Sequence, residues 1–213
     1  MRKILPIVAI IFCALAWAAD FTWDWRSQEV IGRTDPSLNT TSKLTEPERN
    51  QLLDMIIVRL MKPMADAGYD DQRIREVAST TRLRFVEFGE GKPVVLGTSL
   101  GSEGGCDLLA NCPFWIFRKT DAGYVSMLDT VAASYTTQPT STEGYSDLVI
   151  ARHVTPKDNR LTLYKYDNGK YVDAGCYTAV FTPPKEGGEI QDPEIAPCTP
   201  GSPAPKDPVP AKE

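Results

Sequence analysis

The chain has one histidine in 213 residues. A metal centre built on several histidines is therefore excluded, and a Ser-His-Asp site would have to use His153. No Gly-x-Ser-x-Gly elbow occurs; Gly101-Ser102-Glu103-Gly104 misses that spacing by one residue. CxxC spacing is absent and no histidine lies near the cysteines, which argues against zinc. Positive charge is in deficit, with 23 Lys and Arg against 28 Asp and Glu, so there is no basic footprint for nucleic acid. No apolar run is long enough to span a bilayer comfortably.

The longest such run, Ile4 to Ala16, follows Arg2 and Lys3 and precedes Ala16-Trp17-Ala18. A positive start, a short apolar stretch and small residues at a cleavage point predict a signal peptide over 1–18. Its removal would take Arg2 and Lys3 with it, moving the formal charge from −5 to −7. The expected location is periplasmic or secreted, with no membrane span after cleavage. Cys13 leaves with that segment, and Cys106, Cys112, Cys176 and Cys198 remain. Four cysteines in an exported chain read as two structural disulfides. Three pairings are open; the local one, Cys106 with Cys112 and Cys176 with Cys198, is favoured because short loops join those neighbours. Each bridge would contribute about 2 to 4 kcal/mol by restricting the unfolded chain.

Residues 19–43 are polar and irregular apart from Phe21, Trp23 and Trp25, and predict a strap laid on the core. Thr45-Glu46-Pro47-Glu48 is a capping box with proline in the first turn. Leu52, Leu53, Ile56, Ile57, Leu60 and Met61 follow at helical spacing, predicting a helix over 46–62 that Pro63 stops. A shorter helix is expected over 70–79. From residue 82 the period becomes two. Strands are expected at 82–88, 94–96, 114–117, 124–128, 147–151, 161–166 and 171–172, with Asp121-Ala122-Gly123 and Asp167-Asn168-Gly169 as hairpin turns. Residues 183–213 hold nine of the 17 prolines and predict an extended, disordered acidic tail. The expected fold is α+β: one or two N-terminal helices packed on a disulfide-supported antiparallel sheet, as a single domain over 44–182.

A degenerate repeat runs through the β region. Trp115 to Val125 matches Leu161 to Val172 with one inserted residue, and Gly91 to Leu96 corresponds to Gly144 to Ile150. With Glu90-Gly91-Lys92-Pro93-Val94-Val95 and Glu143-Gly144-Tyr145-Ser146-Asp147-Leu148-Val149, residues 84–172 resemble degenerate FG-GAP/VCBS-type repeats. That resemblance implies blades made of a turn, a Val/Leu-rich strand and a hairpin. Many such blades bind calcium, but these turns lack most of the oxygen ligands required, so no metal or cofactor is expected. Ala110-Asn111-Cys112-Pro113-Phe114-Trp115 is similar to a loop of small exported bacterial proteins, a resemblance that points to no particular activity.

The missing chemistry favours a non-catalytic exported binding module for a glycan or protein of the cell envelope. Candidate contacts are Trp115, Glu143, Tyr145, Asp147 and the cysteine-closed loop 106–112. Ser141 to Tyr145 also resembles the loop that inhibitors of secreted hydrolases insert into the enzyme cleft, where acids would suit a basic target. The alternatives are an envelope structural or assembly component, and a hydrolase using two of Glu87, Glu90, Asp129, Glu143 and Asp147.

Overall fold

The computed structural model describes residues 21–182 and 188–198. The expected signal peptide lies outside the described residues, as does the tail beyond Cys198. The chain forms two helices, α1 (Glu46–Asp66) and α2 (Asp71–Ser79). Nine strands follow: β1 (Arg82–Glu87), β2 (Pro93–Thr98), β3 (Cys112–Thr120), β4 (Gly123–Ala132), β5 (Ser134–Thr142), β6 (Tyr145–His153), β7 (Asp158–Asp167), β8 (Lys170–Val180) and β9 (Glu194–Pro197).

The strands make two antiparallel sheets, β1-β2-β3-β4 and β5-β6-β7-β8-β9, where the sequence suggested one. The reason lies in the burial demand. β3 and β6 are buried on both faces through their middles, so each sheet needs cover on two sides. The first sheet has the helices on one face, where Leu52, Ile56, Leu60 and Met64 meet Leu83, Val95, Trp115 and Phe117. Its other face meets the second sheet through Leu96, Phe114, Ile116, Leu148, Ile150 and Tyr166. Only Ala133 separates β4 from β5, so the chain changes sheets across one residue.

The N-terminal strap covers the remaining face. Phe21 stacks on Tyr177 at 3.8 Å, and Trp23 packs with Val149, Ala151 and Leu161. The strap then bridges Tyr135 on β5 through Glu29 and Arg82 on β1 through Ser37, lacing the two sheets together.

Helix α1 begins where the capping box places it. The Glu48 carboxylate accepts from the Thr45 amide and hydroxyl, each at 2.7 Å. It does not stop at Pro63, however; the helix runs on to Asp66. Pro63 lies on the exposed side, where water can serve the carbonyl left without a donor, and the following Met64 is fully buried. Asp70 caps α2 by accepting from the Arg73 amide at 2.8 Å. The second cysteine pair, Cys176–Cys198, stands beside β9, so residues 194–197 of the expected tail belong to the sheet.

Glu48 also meets Lys119 of β3 at 2.5 Å, tying the helix start to the first sheet. The Lys119 ammonium and then the Thr45 donors hold its carboxyl down at about 2, from an ordinary 4.5. A depressed carboxyl stabilises the fold above its unfolded value and loses that contribution as pH falls through its folded value. The melting-temperature difference between wild type and Glu48→Gln should therefore be full above pH 5 and vanish toward pH 2. A difference that does not change over that range would contradict the tie.

Candidate functional site

The four contact candidates do not share a surface. Trp115 is 1% exposed and faces the helices, opposite Gly97 of β2. The even–odd alternation of β3 sends it into the core, where a large apolar ring is expected to go. Tyr145 is 4% exposed and stacks on Tyr166 at 4.1 Å between the sheets. Asp147, 1% exposed, accepts from the Thr140 hydroxyl at 2.8 Å and the Thr142 hydroxyl at 2.7 Å, pinning the β5–β6 hairpin. Glu143 is exposed in the β5–β6 turn at φ 52°. Glu143, Tyr145 and Asp147 thus gather at the hairpin end of the sandwich, and Trp115 does not join them. Burial removes Trp115, Tyr145 and Asp147 as direct contacts.

The same placement bears on catalysis. His153 closes β6 at the opposite end from Asp147, six residues away, which is roughly 20 Å of extended strand. Its Nδ1 lies 2.6 Å from Asn159 Oδ1. Of the acids considered for hydrolysis, Asp129 pairs with Arg59 at 3.0 Å and Asp147 is occupied by its threonines. Among the described residues, no cluster of three or more His, Cys, Asp or Glu could hold a metal ion.

The distinctive surface is at the His153 end. There the β2–β3 connection projects as a finger closed by Cys106–Cys112, with a Cα separation of 4.0 Å. Asp107 organises its tip. Its carboxylate accepts from the Leu109 amide at 2.9 Å, the Asn111 amide at 2.8 Å and Asn111 Nδ2 at 2.8 Å. Asn111 in turn accepts from the His153 amide at 2.7 Å and donates to the His153 carbonyl at 2.9 Å, fastening the finger to β6. Ala110 sits at φ 62° to complete the turn. The result is a fixed loop whose Leu108 is 99% exposed.

The strap forms the facing wall. Glu29 exchanges backbone hydrogen bonds with Tyr135 at 2.8 and 3.0 Å. Arg84 grips Asp35 through two bonds, at 3.0 and 2.7 Å, and reaches Glu29 at 3.0 Å and the Val30 carbonyl at 2.9 Å. Burial pushes the Asp35 carboxyl up, yet the Arg84 guanidinium and the Gly32 amide outweigh it and hold it below its ordinary value. Asp35 in turn raises Arg84. Burial, then the bond to Glu29, lifts the Tyr135 hydroxyl to about 12. Between this wall and the finger lies an apolar hollow of 560 Å³, lined by Val30, Ile31, Leu100 and Leu108 among others. A second space of 310 Å³ continues it toward Phe114, Tyr135 and His153.

The cysteine-closed loop 106–112 stood out in the sequence; Val30, Ile31 and Arg33 did not, since only the long-range fold brings them opposite it. The one local hint was Leu108-Leu109 inside a short cysteine-closed loop, an apolar pair outside any periodic segment. Comparison with family models, with curated proteins and with solved structures returned no match.

Proposed function

We propose that the chain is an exported, non-catalytic interaction module that engages a cell-envelope partner through the hollow between finger and strap. The observation that carries this reading is Leu108, 99% exposed on a loop held by a cysteine pair and the Asp107–Asn111 network. A large aliphatic side chain kept in water on a fixed loop serves no packing role. A pre-ordered anchor beside an apolar hollow lowers the entropy lost on association. Export is supported by the signal-like N-terminus and the paired cysteines; among the described residues no helix is long and apolar enough to cross a membrane. The inhibitor-like variant has less support, because Tyr145, the large residue of its loop, is in the core.

The test is co-sedimentation of the purified full chain with isolated envelopes of the producing cell. Wild type should pellet with them, and across a concentration series Leu108→Asp should weaken the apparent affinity about tenfold, the roughly 1.4 kcal/mol of a lost anchor. Its melting temperature should not change, since Leu108 contributes no burial. Equal pelleting of both proteins, or of neither, would refute the reading.

A further inference from the structure

We propose that the hollow receives a protein segment presenting one aliphatic side chain beside a carboxylate; this rests on the reading above and names its partner class. Two observations carry it.

The first is the lining. Val30, Ile31, Leu100 and Leu108 offer aliphatic carbon. The phenyl and phenol rings next to the hollow, Phe114 and Tyr135, are buried and present no open face. Sugars are held chiefly by stacking on open phenyl, phenol or indole faces, and this hollow offers none. An aliphatic side chain of a peptide suits it better than a glycan.

The second is charge. The chain as a whole is acidic, but the acids beside the hollow are occupied. Glu29 accepts from Tyr135 at 2.9 Å and from Arg84 at 3.0 Å. Asp107 takes the donors of its own loop. The ring of His153 is bonded through Nδ1 to Asn159. Arg33 is different: it is exposed on the rim and has no carboxylate partner among the described residues. A forked guanidinium beside apolar surface is the matching group for a carboxylate. The complementary segment therefore carries an acid next to its apolar anchor, the opposite sign to the basic target that the 141–145 loop suggested.

The experiment pans random dodecapeptides displayed on phage against the full chain, with a glycan panel run in parallel. Enriched peptides should place Leu, Ile, Val or Met next to Asp or Glu. Synthetic copies should bind wild type about tenfold more tightly than Arg33→Glu, as expected for loss of a charge-assisted pair and its replacement by repulsion. Arg33→Lys should retain part of the affinity, and Leu108→Asp should weaken binding at least tenfold. Enrichment of basic peptides, affinity indifferent to Arg33→Glu, or no enrichment at all would overturn the proposal. Glycan binding that depends on Leu108 would overturn it while leaving the interaction-module reading intact. Absence of any Leu108-dependent ligand, peptide or glycan, would remove both.

Discussion

Replacing Gly89 by alanine should destabilise the protein by roughly 3 to 5 kcal/mol, among the largest effects of any single methyl added to this fold. Gly89 lies in the β1–β2 turn at φ 118°, a conformation that costs an L-residue about 1 to 2 kcal/mol. Strain is the smaller part. A β-carbon there would stand 2.0 Å from the Gly144 carbonyl oxygen and 3.2 Å from its carbon. Both are backbone atoms of the β5–β6 turn, so no side chain can swing aside. The two turns belong to different sheets, and beside them the Ser146 amide donates to the Phe88 carbonyl at 3.0 Å. Parting the turns breaks that bond, about 1 kcal/mol, and opens the packing of Phe88 beneath it. Gly91, in the same turn at φ 65°, has nothing within 4 Å of its added carbon, so Gly91→Ala should cost only about 1 kcal/mol. Urea unfolding of the two variants separates strain from contact. If they lose equal stability, the sheets do not touch through this glycine.

That contact shows what local sequence could and could not reveal. The start and buried face of α1 were legible because the capping box and the stripe from Leu52 to Met61 are both local. Its end was not, because whether Pro63 terminates a helix depends on which way the proline faces. Both hairpin turns of the repeat appear where Gly123 and Asn168-Gly169 suggest them, in β3–β4 and in β7–β8. The matched segments fall on corresponding strands of two meanders with the same order. The likeness to FG-GAP/VCBS blades remains an inference from those motifs. β5 was invisible: Ser134 to Thr142 has one large apolar residue, Tyr135, and a proline, so its strand state comes from pairing with β6. β9 sits in proline-rich sequence and is held by β8 and the Cys176–Cys198 pair. The division into two sheets was hidden because Ala133 carries no turn residue to mark the crossing. The site divided in the same way. A cysteine-closed loop advertises itself, whereas the wall at 29–33 acquires meaning only from Glu29 bridging to Tyr135 across more than a hundred residues.

Trp115 is where the surface and core readings part most sharply, and its replacement by alanine should cost about 3 to 5 kcal/mol. The indole is 1% exposed and packs where Leu52, Ile56 and Leu60 of α1 meet Val95 and Phe117 of the first sheet. Gly97, its partner across β2–β3, makes room for it; a β-carbon at Gly97 would stand 3.5 Å from the indole. Truncation would leave a cavity between helix and sheet that neither can close without losing its own contacts. For a chain of this size the melting temperature should fall by roughly 10 °C. Trp115→Phe should be milder, at about 1 to 2 kcal/mol, for a specific reason: the indole nitrogen is buried without a hydrogen-bond partner, so removing it forfeits no bond. A contact residue would behave in the opposite way, with both variants melting like wild type and losing partner binding. On this geometry, Trp115→Phe should keep the finger and its hollow intact and bind as wild type does, while Leu108→Asp melts normally and binds about tenfold more weakly. Trp115 then measures the core and Leu108 the site, at opposite ends of one chain segment.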